Sequence, residues 1–260
     1  MNPSQLFTAF YTIIRKDVVR MFRIWGQTFL PPVVTSVLYF SVFGTVLGGR
    51  IGEMQGVDYM SFVVPGLIML AIVTSSYANT SFAFFSAKFF GRSIDELLVS
   101  PMPPWVMIAG FVGAGMVRGA IVGVLVLLVS LFFTGLQIAF SGAVVALLFA
   151  VLTAIIFSLA GLINGIYAKS IDGINIVPTF VLTPLVYLGG IFYSVHTLPD
   201  WWQTLTYANP LFYLINGFRF GFLGISDISL SLSLAVLISI IAVLLAINAH
   251  LLRTGLGLKN

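Results

Sequence analysis

The sequence predicts an all-α membrane protein with six transmembrane helices, an N-terminal interfacial amphipathic helix and a re-entrant external half-helix pair before the last span. Three observations carry this reading. Charged residues make up 8% of the 260-residue chain and hydrophobic residues 59%, against roughly 25% charged in soluble domains, so there is too little polar side chain to cover a water-facing surface. Long stretches contain no Asp, Glu, Lys or Arg: 24–49, 59–87, 97–117, 119–168, 173–199, 201–218 and 228–252. Lys and Arg collect on alternate connections between those stretches. The same composition excludes disorder, which requires few apolar and many charged residues. The lack of cysteine excludes disulfides, thiolate zinc sites, iron–sulfur clusters and cysteine nucleophiles.

A bilayer core about 30 Å thick takes roughly 20 apolar residues in a helix. The run 119–168 is too long for one helix and divides at Thr134-Gly135-Leu136-Gln137, with Ser141-Gly142 just beyond. The resulting spans are about 25–48, 59–84, 105–133, 139–166, 174–194 and 230–252. The run 201–218 is short and polar, with Gln203, Asn209, Pro210 and Asn216. Its Asn-Pro step interrupts a helix because proline has no amide donor. Non-helical backbone at membrane depth survives only where protein buries it or a cavity wets it, so 195–224 reads as a re-entrant external segment rather than a seventh span.

With the N-terminus inside, the inner segments hold Arg15, Lys16, Arg20, Arg23, Lys88, Arg92, Lys169, Arg253 and Lys259, and the outer ones Arg50 and Arg219. That bias places both termini in the cytoplasm. The first long apolar run begins after Arg23 and is span-length, so no cleavable signal pattern is expected.

Residues 5–23 form a basic amphipathic helix. At 100° per residue Leu6, Phe7, Phe10, Ile13, Ile14, Val18, Met21 and Phe22 share one face, and Arg15, Lys16, Arg20 and Arg23 lie opposite. Such a helix lies in the inner membrane interface, drawn by anionic lipid, either as an anchor alone or also touching a cytoplasmic partner. Asp17 falls on the apolar side, within i,i+3 reach of Arg20. After the second span, Ser93 and Glu96 have capping-box spacing, Asp95 and Glu96 suit a first helical turn, and Pro101, Pro103 and Pro104 forbid continuation. Segment 93–100 is therefore a two-turn helix presenting Ile94, Leu97 and Leu98 beside two carboxylates, either as a docking patch or turned onto the bundle.

Within the spans there is no Asp, Glu or His suited to ion coupling; Arg118 is the ionisable residue deep in a helix, with a structural or pathway role paired to backbone carbonyls or lipid phosphate. Asp172 lies just outside the fifth span, and His250 near the inner end of the sixth is interfacial. Energy for uphill transport must then enter from outside the bilayer. Ser194, His196 and Asp200 lie close together at the outer interface, but a nucleophile and base two residues apart in a turn rarely meet. Neither an HExxH nor a GxxxxGK[ST] motif occurs, so no catalytic, metal-binding or nucleotide-binding set is expected in this chain. Gly115, Gly119 and Gly123, and again Gly161 and Gly165, recur at four-residue spacing and allow close helix approach, within the chain or across a dimer seam.

The chain resembles the membrane subunits of type-2 ATP-binding-cassette (ABC) exporters along nearly its whole length, particularly bacterial inner-membrane permeases. The most specific stretch is Leu182 to Arg219, where Leu182, Leu185, Leu188, Gly189, Ile191, Leu198-Pro199, Pro210, Leu211, Tyr213 and Arg219 follow the family pattern. The resemblance implies a single transmembrane domain over residues 1–260 that pairs as a homodimer and binds two copies of a separate cytoplasmic ATPase, which carries the ATP and magnesium. It implies a coupling helix at 93–100, with Arg92, Ser93, Asp95, Glu96, Leu97 and Leu98 on the ATPase, and an external gate around Pro210, Tyr213 and Arg219. Membrane lipids are expected partners and nucleic acid is not. The alternative is an energy-independent channel or lipid-handling protein in which 93–100 is a solvated turn.

Overall fold

The computed structural model describes residues 2–90, 93–134 and 140–257. Its helices are α1 (Pro3–Arg23), α2 (Trp25–Ile51), α3 (Tyr59–Phe89), α4 (Ser93–Val99), α5 (Pro104–Thr134), α6 (Phe140–Tyr167), α7 (Ile171–Tyr187), α8 (Asp200–Tyr207), α9 (Pro210–Leu223) and α10 (Leu230–Thr254). A hairpin of β1 (Glu53–Met54) and β2 (Val57–Asp58) joins α2 to α3, with Glu53 opposite Asp58 and Met54 opposite Val57. Its two-residue turn places Gln55 and Gly56 at φ 53° and 79°, the left-handed pair that suits a tight antiparallel turn.

Helix α1 ends at Ile24, whose backbone leaves the helical region (φ −115°, ψ 38°), and α2 departs from there. Helix α2 contains Pro31 and Pro32 and widens to π-type turns over Ser41–Gly48. Helix α3 is the centre of the bundle: 83% of its most apolar window is buried, against 13% for α2 and 11% for α10. It packs on α5, α6 and α9, while α1 and α2 lie on α5, and α10 on α6 and α9.

The glycine stripes make this packing. Side chains at Gly115 and Gly119 of α5 would strike Thr80, Ser158 and Ser76, and at Gly161 and Gly165 of α6 the backbone carbonyls of Tyr77 and Ser81. Bare backbone lets α5 and α6 approach α3, so both stripes serve packing within the chain.

Among the described residues, five helices are long and apolar enough to cross a membrane: Trp25–Ile51, Tyr59–Phe89, Pro104–Thr134, Gly142–Tyr167 and Leu230–Thr254. These match five of the six expected spans to within a few residues, and residues 135–139 of the expected turn lie outside the described residues. The fifth expected span, 174–194, is instead the shorter apolar helix α7, Ile171–Tyr187. Its early end has a tertiary cause. Asn209 Nδ2 donates to the carbonyl of Leu185 (2.6 Å), Gly190 adopts φ 77°, and Arg219 Nη2 donates to the Gly190 carbonyl (2.6 Å). The contacts from α9 thus hold the chain in a turn where apolar sequence alone would continue a helix. Segment 200–223 is two short helices broken at Ala208-Asn209, where the Asn209 side chain accepts from the amide of Leu211 (3.0 Å) and Pro210 opens α9. A helix needs such a cap where its first amides lack partners.

Replacing Gly161 by valine should separate α6 from α3 and destabilise the fold by about 2 kcal/mol or more, as overpacking against fixed backbone does. Thermal unfolding in detergent, followed by size-exclusion profile, measures this.

Candidate functional site

The polar side chains of the bundle sort into two levels. Asn79 lies twenty residues along α3 from Tyr59, about 30 Å at ~1.5 Å per residue. Arg118 lies sixteen residues from the Thr134 end of α5, about 24 Å by the same rise. Asn248 lies eighteen residues along α10 from Leu230, about 27 Å. The separate helices therefore place these groups at one level, about a hydrocarbon thickness of ~30 Å from the opposite end. Helix α1 arrives at this level.

Asp17 and Met21 of α1 are buried, and Arg20 is drawn in beside them. Arg20 Nη2 stands 3.4 Å from Asp17 Oδ1 and donates to Asn79 Oδ1 (3.3 Å), with the guanidinium 5.3 Å from the Phe82 ring centre. This corrects the expected basic face. Arg15, Lys16 and Arg23 are exposed, but Arg20 is folded onto α3, because buried Asp17 one turn away and Asn79 both offer it oxygen. Burial pushes the Asp17 carboxyl up from its ordinary value, more strongly than nearby Arg20 and Lys16 pull it down. Arg118 lies at the same level, and its buried Nε has no hydrogen-bond partner among the described residues. The backbone carbonyl expected as one possible partner of Arg118 is not bonded to that nitrogen. Asn79 Nδ2, Ser76 Oγ, Tyr77 Oη and Ser158 Oγ are likewise buried without partners.

The other level is closed. Arg219, 2% exposed, lies 3.8 Å from the Phe62 ring centre and has Asp227 Oδ2 4.0 Å from its Nη1, besides its bond to Gly190. Gln55 Nε2 donates to Asp227 Oδ1 and to Ser194 Oγ (2.7 Å each), and Ser194 Oγ donates to Asp227 (3.4 Å). The Asp227 amide donates to Asn216 Oδ1 (2.7 Å), and His196 Nε2 is 3.5 Å from the same carboxylate. The carboxylate beside His196 is thus Asp227, not Asp200, and Ser194 bonds that carboxylate in a way unlike a nucleophile–base pair. Tyr213 Oη donates to the Tyr207 carbonyl (2.8 Å), tying α8 to α9. Pro210, Tyr213 and Arg219 therefore come together as the frame of one end. Sequence reasoning missed Gln55, Asn216 and Asp227, whose signal was a polar loop at 224–229 and an amide within an apolar run.

Between the levels runs a cleft. Its floor is the accessible stripe of α3, Leu70, Thr74, Ala78 and Phe82, at four-residue spacing. Tyr39 of α2 and Asn175, Thr179 and Thr183 of α7 wall a cavity of about 310 Å³ there. Phe192 roofs it, stacked on Phe43 (4.6 Å) and Tyr187 (6.1 Å), with Tyr39 edge-on at 6.5 Å. The outward faces of α2 and α7 beside the cleft leave Leu30, Val34, Leu38, Ile176 and Phe180 exposed. A second, wholly apolar groove of about 540 Å³ lies elsewhere, between α3, α5, α6 and α9.

Helix α4 sits at the α1 end. Of the two orientations open for Ile94, the structure takes the one turned onto the bundle: it is 2% exposed and belongs to the buried cluster of Phe84, Met107, Phe111 and Ile166, because the short connection from α3 turns it there. Leu97 is half-buried, Glu96 exposed and Val99 88% exposed. Arg92 and the side chains of Ser93, Asp95 and Leu98 lie outside the described residues.

A bundle of apolar helices without carboxylates in its spans, with an interfacial helix pinned to its central helix and a seven-residue helix at the same end, is the architecture of a membrane permease. Residues 8–223 match the sequence model of the ABC-2 type transporter family, and the chain belongs to that family. It is 52% identical over 254 residues to the inner membrane transport permease YadH of Escherichia coli K12, spanning 98% of each chain. It is 25% identical over 247 residues to nodulation protein J of Rhizobium leguminosarum bv. viciae, spanning 91% of this chain and 92% of that one. The resemblance read from Leu182 to Arg219 is borne out.

Two outcomes follow from the polar levels. Arg219→Met leaves the nearly buried Asp227 carboxylate without its cation and should cost about 3–5 kcal/mol, and adding Asp227→Asn should recover part of that loss in a thermal unfolding series. For Asp17, a folded-state value above the unfolded one means the native state binds the proton more tightly, so its contribution is greatest below the unfolded value and is lost as pH rises through the folded one. Wild type should therefore gain stability relative to Asp17→Asn as pH is lowered from neutral. The opposite slope would make Asp17 a net ionised partner of Arg20.

Proposed function

We propose that this chain is the transmembrane permease subunit of an ATP-driven ABC exporter. Two copies form the permease in the bacterial inner membrane, multi-pass with both termini in the cytoplasm, and two copies of a cytoplasmic ATPase bind its α1 end. The inner-membrane placement follows the name of the 52% identical relative together with the five spanning helices.

The observation that carries the coupling reading is the seating of α4. A seven-residue helix is too short to hold itself, so its position depends on the anchor. Ile94 supplies that anchor inside the bundle while Glu96 and Val99 face outward. A force on the outer face of α4 then passes through Ile94 to Phe84 of α3 and Phe111 of α5. Lys88 of α3 donates to the carbonyls of Ile166 (3.0 Å) and Gly257 (2.6 Å), so α3, α6 and the end of the chain move together. The ATPases, holding ATP and magnesium, close and push this unit, and the external energy source offsets the lack of ion-coupling carboxylates in the spans.

The two permeases face each other across the open cleft of α2, α3 and α7, where exposed apolar side chains and an aromatic roof suit a hydrophobic or sugar-bearing cargo. Helices α8 and α9 act as the re-entrant external gate, framed by Pro210, Tyr213 and Arg219, and α7 with the turn after it makes the sixth crossing. The apolar groove of about 540 Å³ favours the other reading, an energy-independent lipid-handling protein.

Replacing Asp95, Glu96 and Leu97 together should reduce ATPase co-purification by about tenfold, the scale of losing ~1.4 kcal/mol at an interface, with membrane insertion unchanged. Undiminished binding would remove the docking role of α4, and purification with no ATPase from the wild type would favour the energy-independent reading.

A further inference from the structure

Arg118 is a guanidinium near a membrane boundary to which the described residues supply no anion. Its Nε is buried and unpartnered, and no carboxylate among the described residues forms an ion pair with it. The nearest acid of that group, Asp17, already stands 3.4 Å from Arg20, and its second oxygen is buried without a partner. The cluster of Arg20, Arg118 and Asp17 therefore sets two cations beside one acid in a half-buried setting, an arrangement that an added anion would stabilise.

The neighbouring atoms define which anion. Close packing of Gly115 and Gly119 on Thr80 and Ser76 brings this part of α5 to the level of Asn79 on α3. Asn79 is fully buried, and its Nδ2 is a donor without an acceptor. Arg20, already bonded to Asn79 (3.3 Å), and Arg118 of the facing α5 segment thus supply guanidinium and amide donors at one level, which suits a tetrahedral oxyanion with several acceptor oxygens. The level, about 24–30 Å from the opposite helix ends, is the edge of the hydrocarbon core, where a guanidinium reaches the phosphate layer just beyond. Arg20 also borders the cleft: its guanidinium lies over Phe82, the last residue of the accessible stripe through Leu70, Thr74 and Ala78. An apolar tail following that stripe reaches the cavity under Phe192.

We propose that Arg20, Asn79 and Arg118 form a binding site for the phosphate group of an amphiphile at the α1-side membrane boundary, with its apolar tail along the α3 stripe. The site does not depend on the transport reading, because binding requires neither nucleotide nor an ATPase.

The test uses the full chain purified in detergent and native mass spectrometry with three probes: dioleoyl phosphatidic acid, dioleoylglycerol with the same tails and no phosphate, and glycerol phosphate without tails. Phosphatidic acid should be retained and dioleoylglycerol lost. Arg118→Gln should weaken retention by about tenfold, the scale of one charge-assisted hydrogen bond. Arg118→Lys should weaken it less, and Arg23→Gln, at an exposed cation of the same end, should leave it unchanged. Arg20→Gln gives a second reading if Arg118→Gln aggregates. Equal retention of dioleoylglycerol, or full retention by folded Arg118→Gln or Arg20→Gln, overturns the site. Displacement of phosphatidic acid by equimolar glycerol phosphate assigns the site to water-soluble phosphate esters and overturns the amphiphile assignment.

Discussion

The constraint on which the rest depends is that hydrocarbon tolerates no unsatisfied charge. Transferring an ion into such a medium costs several kcal/mol even after relaxation, so the chain keeps its ionisable groups at two levels separated by about the ~30 Å of a bilayer core. The helices between them are free of acids, and their polar side chains mostly turn back onto their own backbone. Thr74, Ser130, Thr153 and Ser239 each donate to a carbonyl three or four residues earlier. With charges confined to the ends, packing in the middle rests on close contact rather than on ion pairs.

That contact is concentrated on α3. Bare glycine backbone lets α5 and α6 come against it, and α9 closes the remaining side. One face of α3, the stripe from Leu70 to Phe82, is left accessible. The same helix carries Asn79 at one level and ends beside α4, so any shift of α4 reaches the floor of the cleft through a single rigid element. The mechanical reading and the geometry of the cleft are therefore two consequences of one buried helix.

The spans were legible because the solvent dictates them: a charge-free run of about 20 residues has few alternatives to a crossing helix. What was hidden depended on partners distant in sequence. The early end of α7 follows from Arg219 on Gly190 and Asn209 on Leu185, contacts that join residues 24 to 29 positions apart. The turn of Arg20 toward α3 follows from Asn79, 59 positions away, which reads in sequence as a lone amide in an apolar run. The orientation of Ile94 stayed open because a two-turn helix has no periodicity long enough to show which side meets the bundle. Asp227 lay in a short polar loop and gained its role only when the hairpin brought Gln55 against it. Gln55 adopts a left-handed backbone that side chains other than glycine rarely take. Apolar pattern reports the solvent faithfully, and it is silent about which buried polar groups will meet.

The two levels differ in one respect that bears on direction. At the α9 end, the buried arginine has a carbonyl, a carboxylate and an aromatic face from its own chain, and that carboxylate is held in turn by Gln55, Ser194 and an amide of its own loop. The arginine's Nε is buried without a partner, as that of Arg118 is, but its charge is balanced by Asp227. At the α1 end, the one buried acid pairs with Arg20 and its burial favours the neutral form, while Arg118 has no ion pair among the described residues. A charged amphiphile therefore finds an unpaired cation at one boundary and a charge-paired one at the other, while the cleft between is lined by neutral side chains. Under the amphiphile proposal, a pathway built this way recognises a headgroup at its α1 end and holds it weakly beyond, the gradient of affinity that loading at one side and release at the other require.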